Sequence, residues 1–134
     1  MKAPTTQSIL TAVDFHNAAL NASALRLCKP ALSNYIHAVI HAKDAICLEI
    51  NGKTGSSKRH AAAIDELRLT RMVPEPQLKQ FETVLNAKTE IEYISGPLRE
   101  SRFRALAAQA ERFLGFSYAL LDYSPELSQG VDLG

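Results

Sequence analysis

The sequence predicts an all-α fold, an up-and-down bundle of four to five helices. Apolar residues recur at intervals of three and four along most of the chain, which is the period of helices that bury one side. No stretch of convincing length alternates apolar and polar residues as a half-buried strand does. Prolines and glycines fall between the periodic segments, and short connections of this kind favour antiparallel neighbours.

The first two helices are delimited by a proline and a glycine. The first runs from about Thr6 to Leu27, and the second from Pro30 to about Asn51. Proline suits the first turn of a helix, and Gly52 suits a left-handed C-cap. The apolar stripe of the first helix contains Ile9, Val13, Leu20, Ala24 and Leu27.

Three further helices follow, at roughly 58–71, 75–94 and 98–123. We therefore expect one domain over residues 1–123 and a flexible C-terminal tail over residues 124–134. The stripes of these helices predict a core that buries Ile36, Ile40, Leu85, Leu106, Ala110 and Phe113.

Composition limits the classes of partner. The net charge is +1, from 15 basic and 14 acidic residues, so attraction to nucleic acid or anionic lipid requires a local patch. Cys28 and Cys47 match no metal-ligand spacing, and we expect free thiols rather than a disulfide. No stretch approaches the ~20 apolar residues of a membrane span, and the N-terminus lacks a signal-peptide core. We expect a cytoplasmic protein with no membrane contact, cofactor or metal.

The second helix has a polar face. His37, His41 and Asp44 stand at i, i+4 and i+7, so they share one side of the helix. Two imidazoles one turn apart can bind a metal, but we favour the interpretation of a polar stripe at the bundle edge. Lys43 falls within the apolar arc. We expect its side chain to snorkel to the rim, and the alternative is an ion pair with a carboxylate.

The fourth helix becomes polar towards its end. Its stripe of Leu78, Phe81 and Leu85 continues as Lys88 and Glu92, which predicts that both point inward. They can form a structural i, i+4 pair, or they can join polar residues of the second helix in a binding cluster. We predict that His37, Asp44, His60 and Lys88 meet in space, with Asp44 as the partner of Lys88.

Two other motifs have both a functional and a structural interpretation. Gly52-Lys53-Thr54 is similar to the end of a phosphate-binding loop, but Cys47 stands where that motif needs its first glycine. We interpret it as a helix cap and a loop. Arg99 and Arg102 surround the start of the fifth helix, where amide groups and arginines suit an anion. A solvated face is the alternative.

Three stretches, taken in order, indicate a family. The second helix contains His37-Ala38-Val39-Ile40-His41-Ala42-Lys43-Asp44-Ala45-Ile46, and a Gly-containing loop leads to His60 and a helix that ends Glu66-Leu67-Arg68. Leu85-Asn86-Ala87-Lys88 then precedes Ile91-Glu92-Tyr93, and the last helix carries Ala107, Ala110, Arg112 and Phe113. From about Leu20 to Tyr118 the chain resembles the HEPN superfamily of small bacterial helical domains, in particular a compact group with a His-Ala-x-Ile-x-x-x-Asp-Ala-Ile core.

This resemblance implies a bundle of four to five helices that forms a homodimer. Members act in toxin–antitoxin, phage-defence or nucleotidyltransferase-linked systems, so a nucleotidyltransferase or an antitoxin is an implied partner. The positions that match the group's pattern, and are implied to bind ligand, are His37, Asp44, His60, Lys88, Glu92 and Tyr93.

The nuclease members of the superfamily carry an arginine, four to six residues, and then a histidine. No arginine of this chain is followed by a histidine at that distance. We therefore expect a non-catalytic domain that binds a nucleotide, RNA or a partner protein. The alternative is a ribonuclease with an unorthodox site, such as His37 and His60 with an arginine from a second subunit.

Overall fold

The fold is an all-α bundle, as the sequence predicts. A computed structural model of the chain describes residues 1–55, 60–93 and 95–128, and within them it contains five helices and no strand. The helices are α1 (Ala3–Ala24), α2 (Cys28–Asn51), α3 (His60–Thr70), α4 (Glu75–Tyr93) and α5 (Glu100–Leu120). In the described part of the chain, no helix is long and apolar enough to cross a membrane.

The turn between α1 and α2 is tighter than the sequence predicts. α1 ends at Ala24 rather than Leu27, because Arg26 adopts a left-handed conformation with φ of 60°. The Leu27 N–H donates to the Ala22 carbonyl at 2.9 Å, which is the hydrogen bond of a Schellman turn. At the other end of α2, Gly52 has φ of 73° and its N–H donates to the Leu48 carbonyl at 3.0 Å. The predicted glycine cap is confirmed.

α2 lies at the centre of the bundle and contacts each of the other four helices. Its buried side packs against rings from two of them, and Phe81 of α4 meets Phe113 of α5 with ring centroids 5.1 Å apart. Five of the six residues predicted for the core are buried: Ile36, Leu85, Leu106, Ala110 and Phe113. Ile40 is only partly buried, because it lines an open groove between α2 and α4.

The C-terminal segment turns back along α1. The Asn17 side-chain amide donates to the Glu126 carbonyl at 3.1 Å and accepts from the Ser128 N–H at 2.5 Å. Of the tail expected over residues 124–134, residues 124–128 therefore lie against α1. Residues 129–134 fall outside the described part of the chain.

Candidate functional site

Three of the residues predicted to bind ligand line one groove. It lies between α2 and α4 and encloses a cavity of about 140 Å³. The sequence spacing explains this position, because residues three and four apart on a helix share a face, as Ser33, His37 and Ile40 do. We call it the α2–α4 groove, and it is lined by Ser33, Ile36, His37, Ile40, Lys88, Ile91 and Glu92.

Lys88 and Glu92 form the α4 side of this groove, but the prediction that they point inward is wrong. Their side chains are 51% and 53% exposed, and the Lys88 Nζ lies 3.9 Å from Glu92 Oε1. The core stripe of α4 continues through the buried Ala87 and the partly buried Ile91 instead. Lys88 and Glu92 are therefore turned to the rim of the bundle, where water and ligands reach them.

An aromatic stack supports the α2 side of the groove. The ring of Phe15, from α1, lies 4.9 Å from the ring of His37 and 5.4 Å from that of His41. The planes of Phe15 and His41 are nearly parallel, at 2°. Burial lowers the pKa of His41; the charge of Asp44 opposes this shift and the nearby His37 adds to it. His41 is thus a neutral ring beside the exposed His37.

Asp44 does not line the groove and instead belongs to a buried ion-pair network around Lys43. The Lys43 Nζ lies 2.7 Å from Asp44 Oδ1, 3.0 Å from Glu66 Oε2 and 3.1 Å from Thr54 Oγ1. The Lys43 side chain is only 5% exposed. The expectation that Lys43 snorkels is wrong, and the carboxylate alternative is confirmed. The predicted pairing of Asp44 with Lys88 is also wrong.

The groups of this network stabilise one another's charges. Burial lowers the pKa of Lys43, but the hydrogen bonds and charges of Asp44 and Glu66 outweigh it, so the net shift is upward. Burial raises the pKa of Glu66. Hydrogen bonds from the Gly55 N–H, Lys43 and Thr54 lower it, as does the charge of Lys43, and these effects outweigh burial, so the net shift is downward. Lys43 and Glu66 are therefore both ionised at neutral pH.

The loop after α2 completes this network. The Thr54 hydroxyl donates to Asp44 Oδ1 at 2.7 Å, and the Gly55 N–H donates to Glu66 Oε2 at 3.0 Å. A Cβ at Gly55 would lie 2.3 Å from Glu66 Oε1, so glycine allows this close approach. The motif that is similar to a phosphate-binding loop therefore ends at a residue that joins α2 to α3.

A cavity of about 310 Å³ adjoins the network, with Cys47 and Leu69 in its wall. Burial raises the pKa of the Cys47 thiol to about 11; the Lys43 charge opposes this shift, and the charges of Glu66 and Asp44 add to it. The thiol is protonated at neutral pH, and a protonated thiol is a weak nucleophile. Cys47 is therefore not an activated nucleophile.

The other predicted ligand residues are dispersed. Tyr93 ends α4 with its side chain 81% exposed, next to Glu92. His60 begins α3, and its side chain lies outside the described residues. Arg102 donates from Nε to Glu90 at 3.1 Å and makes a second bond from its terminal nitrogen. Arg99 is exposed at the N-cap of α5. Arg102 therefore joins α5 to α4 through Glu90. Of the two arginines predicted to bind an anion, Arg102 is already paired within the chain.

A second buried polar cluster was missed by the sequence reasoning. His16 is buried in α1, with Nδ1 2.8 Å from the Tyr118 hydroxyl and Nε2 2.9 Å from Glu111 Oε2. The Tyr35 hydroxyl donates to the same oxygen at 2.6 Å. The sequence did hold one signal, since position 16 falls on the α1 stripe between Val13 and Leu20.

This cluster links α1 and α2 to α5. Burial raises the pKa of Glu111, but hydrogen bonds from His16 and Tyr35, with the charge of His16, outweigh it and lower the pKa. The carboxylate accepts hydrogen bonds from α1 and α2, so the cluster joins both helices to α5.

The chain was compared with models of known protein families and with curated proteins, and it matches none of them. The described residues contain no group of three or more His, Cys, Asp or Glu side chains placed to hold a metal. Among these arrangements, the α2–α4 groove brings together three of the residues predicted to bind ligand, and all three are exposed.

Proposed function

We propose that this chain is a non-catalytic, HEPN-like binding domain, and that its α2–α4 groove takes a nucleotide, either free or within a strand of RNA. The observation that carries the proposal is that His37, Lys88 and Glu92 line one groove whose His37 ring is stacked on Phe15. The groove brings together a ring, a cation and a carboxylate, and these are the groups that a nucleotide requires.

Each part of a nucleotide has a counterpart in the groove. A base stacks on the exposed face of an aromatic or imidazole ring, and such stacking stabilises binding by roughly 1–3 kcal/mol per base. His37 offers that face, since its ring is exposed and packs on Phe15. Ser33 and Glu92 can bond the polar edge of the base, and Lys88 can bond a phosphate.

Lys88 is available to a phosphate at small cost. Its contact with Glu92 is long, at 3.9 Å, and both side chains are half exposed. An exposed pair of this kind stabilises a protein by roughly 0–1 kcal/mol. A phosphate can therefore replace Glu92 as the partner of Lys88 without destabilising the fold.

The resemblance to the HEPN superfamily supports the remaining parts of the proposal. It implies a homodimer in the cytoplasm, with a nucleotidyltransferase or an antitoxin as partner, within a toxin–antitoxin or phage-defence system. Sedimentation of the purified chain at micromolar concentration tests the dimer directly. A single species of about 15 kDa would contradict it.

Titrations of the purified chain with ATP, GTP and a fluorescent single-stranded RNA test the groove. We expect His37→Ala and Lys88→Ala each to weaken binding by about tenfold or more, since each removes a direct contact. Lys79→Ala is the matched control, because Lys79 is exposed on α4 but nine residues earlier, on the opposite side of the helix. It should bind as the wild type does.

Equal losses in Lys79→Ala and Lys88→Ala would mean that only net charge matters, and would contradict the proposal. Failure of all three probes to bind the wild type would contradict it as well. The integrity of the RNA is checked on a gel after each titration. If the wild type cleaves the RNA and His37→Ala does not, the chain is a ribonuclease, which is the alternative function.

A further inference from the structure

A second cavity lies at the end of the bundle where α1 turns into α2. It has a volume of about 280 Å³ and is lined by Ser23, Arg26, Cys28, Glu100, Phe103 and Arg104. Its residues come from the end of α1, the start of α2 and the first turns of α5. It shares no residue with the α2–α4 groove.

The charges of this cavity favour an anionic partner. Arg26 is exposed and makes no salt bridge within the described part of the chain. Arg104 bonds Glu100 one turn earlier, but its side chain is 73% exposed, so the pair is weak and the guanidinium accessible. Two guanidinium groups and one carboxylate give the cavity wall an excess of one positive charge.

The wall of the cavity also has an apolar part. Phe103 is buried and forms part of its wall. On either side of Arg26, Leu25 and Leu27 are each 49% exposed, although leucines of a helix-terminal turn normally gain by burial. A partner that covers this surface would therefore bring both an anionic group and an apolar side chain.

We propose that this cavity binds a protein segment in which an acidic residue stands beside a large apolar one. The apolar side chain fills the cavity against Phe103, and the carboxylate pairs with Arg26 and Arg104. Arginine suits this task, since its planar fork binds a carboxylate through two hydrogen bonds. This inference is independent of the function proposed for the α2–α4 groove.

Other anionic surfaces fit less well. A nucleic-acid strand gains most of its affinity from several phosphate contacts, and here Glu100 opposes a polyanion. A membrane surface attracts clusters of four or more basic residues, by roughly 1 kcal/mol for each. Neither would use the apolar wall, whereas an acidic and apolar peptide uses both features.

The backbone at Arg26 permits an unusually clean test. Arg26 has φ of 60°, a left-handed conformation that glycine adopts without steric cost. Arg26→Gly therefore removes the guanidinium while the turn is kept. Arg71, at the end of α3, has φ of 58° and is also exposed, so Arg71→Gly is the same substitution in the same conformation at a different site. Thermal unfolding should show both variants folded.

The probes are three short fluorescent peptides measured by anisotropy against the full chain. One alternates glutamate with leucine, the second has serine in place of leucine, and the third has lysine in place of glutamate. We expect the first to bind, and the other two to bind at least about tenfold more weakly. Arg26→Gly should weaken the binding of the first peptide by about tenfold, which is the effect of losing one charge-assisted hydrogen bond. Arg71→Gly should leave the binding of this peptide unchanged.

Three results would overturn the proposal. The first is that the peptide of glutamate and leucine binds Arg26→Gly as tightly as it binds the wild type. The second is equal binding of the serine peptide, which would mean that charge alone acts. The third is wild-type binding to vesicles of phosphatidylcholine and phosphatidylserine without binding to the peptide, which would assign the surface to a membrane.

Discussion

Lys43 and Lys88 each stand close to carboxylates, but their surroundings differ. Lys43 is 5% exposed and is bonded by Asp44, Glu66 and Thr54 at distances of 3.1 Å or less. Lys88 is 51% exposed and has Glu92 at 3.9 Å. The ammonium group of Lys43 has three partners within the chain. The ammonium group of Lys88 is accessible and can donate hydrogen bonds to other molecules.

This difference distinguishes a polar group that is used within the fold from one that can bind a ligand. A buried cation is tolerated only when the chain supplies its partners, so the ammonium of Lys43 is already paired within the chain. An exposed cation beside a ring keeps its capacity to bind. The sequence places both lysines on apolar stripes, and only their surroundings assign them opposite roles.

The largest expected effect is the loss of both carboxylates around Lys43. The double variant Asp44→Ala/Glu66→Ala leaves a buried ammonium without an anion, and its free energy of unfolding should fall by about 3–5 kcal/mol. Denaturant unfolding followed by circular dichroism measures the change.

The matched control removes the cation too. In the triple variant with Lys43→Met, no buried charge is left unpaired, so most of the lost stability should return. A triple variant as unstable as the double one would show that side-chain packing, and not the ion pair, accounts for the loss.

Acid should weaken the fold through two carboxylates, Glu66 of the Lys43 network and Glu111 of the His16 cluster. The pKa of Glu66 and that of Glu111 are lowered in the folded chain. Each therefore contributes stability that is present above the unfolded pKa, about 4.3, and is lost as the pH falls through the folded value. The free energy of unfolding should begin to decrease below about pH 6.5, because the pKa of His41 is lowered in the folded chain, and should decrease more steeply below about pH 4.3.

Glu66→Gln tests this assignment, because it removes one of the two carboxylates but keeps the shape of the side chain. Its stability should decrease less steeply with acid than that of the wild type. Parallel curves for the two proteins would assign the acid sensitivity to other groups.

The smallest expected effect lies in the groove. Glu92→Gln removes an exposed partner of Lys88, and the free energy of unfolding should change by less than about 1 kcal/mol. Binding of ATP should be kept, because the glutamine can still bond the polar edge of the base and Lys88 loses a competing anion. A loss of stability comparable to that of the Asp44 and Glu66 variants would mean that the two regions do not differ as described.

Much of the fold could be predicted from the sequence, because the helix signals are local. Apolar spacing and the glycine at position 52 are sufficient to place the second helix and its cap. The early end of α1 could not be predicted in this way, because it depends on Arg26 in a conformation that favours glycine. Nothing in the composition of that turn indicates the conformation.

The candidate site was predicted in part. The placement of His37, Lys88 and Glu92 on one groove follows from helix faces and from α2 and α4 being neighbours. Whether the stripe of α4 continues through Ala87 or through Lys88 depends on how the helix is rotated against its neighbours, and a single helix does not determine that. The pairing of His16 with Glu111 spans 95 positions of sequence, and only the tertiary fold brings these residues together.

Chemical-shift mapping by NMR tests the central claim most directly, which is that the open polar groups around His37 bind ligand and the closed network of Lys43 does not. ATP and a short single-stranded RNA are titrated into isotope-labelled protein. We expect the largest shifts at the amides of residues 33–40 and 88–93, and little change at Lys43, Thr54 and Glu66. Shifts concentrated at the Lys43 network, or none at saturating ligand, would contradict the account.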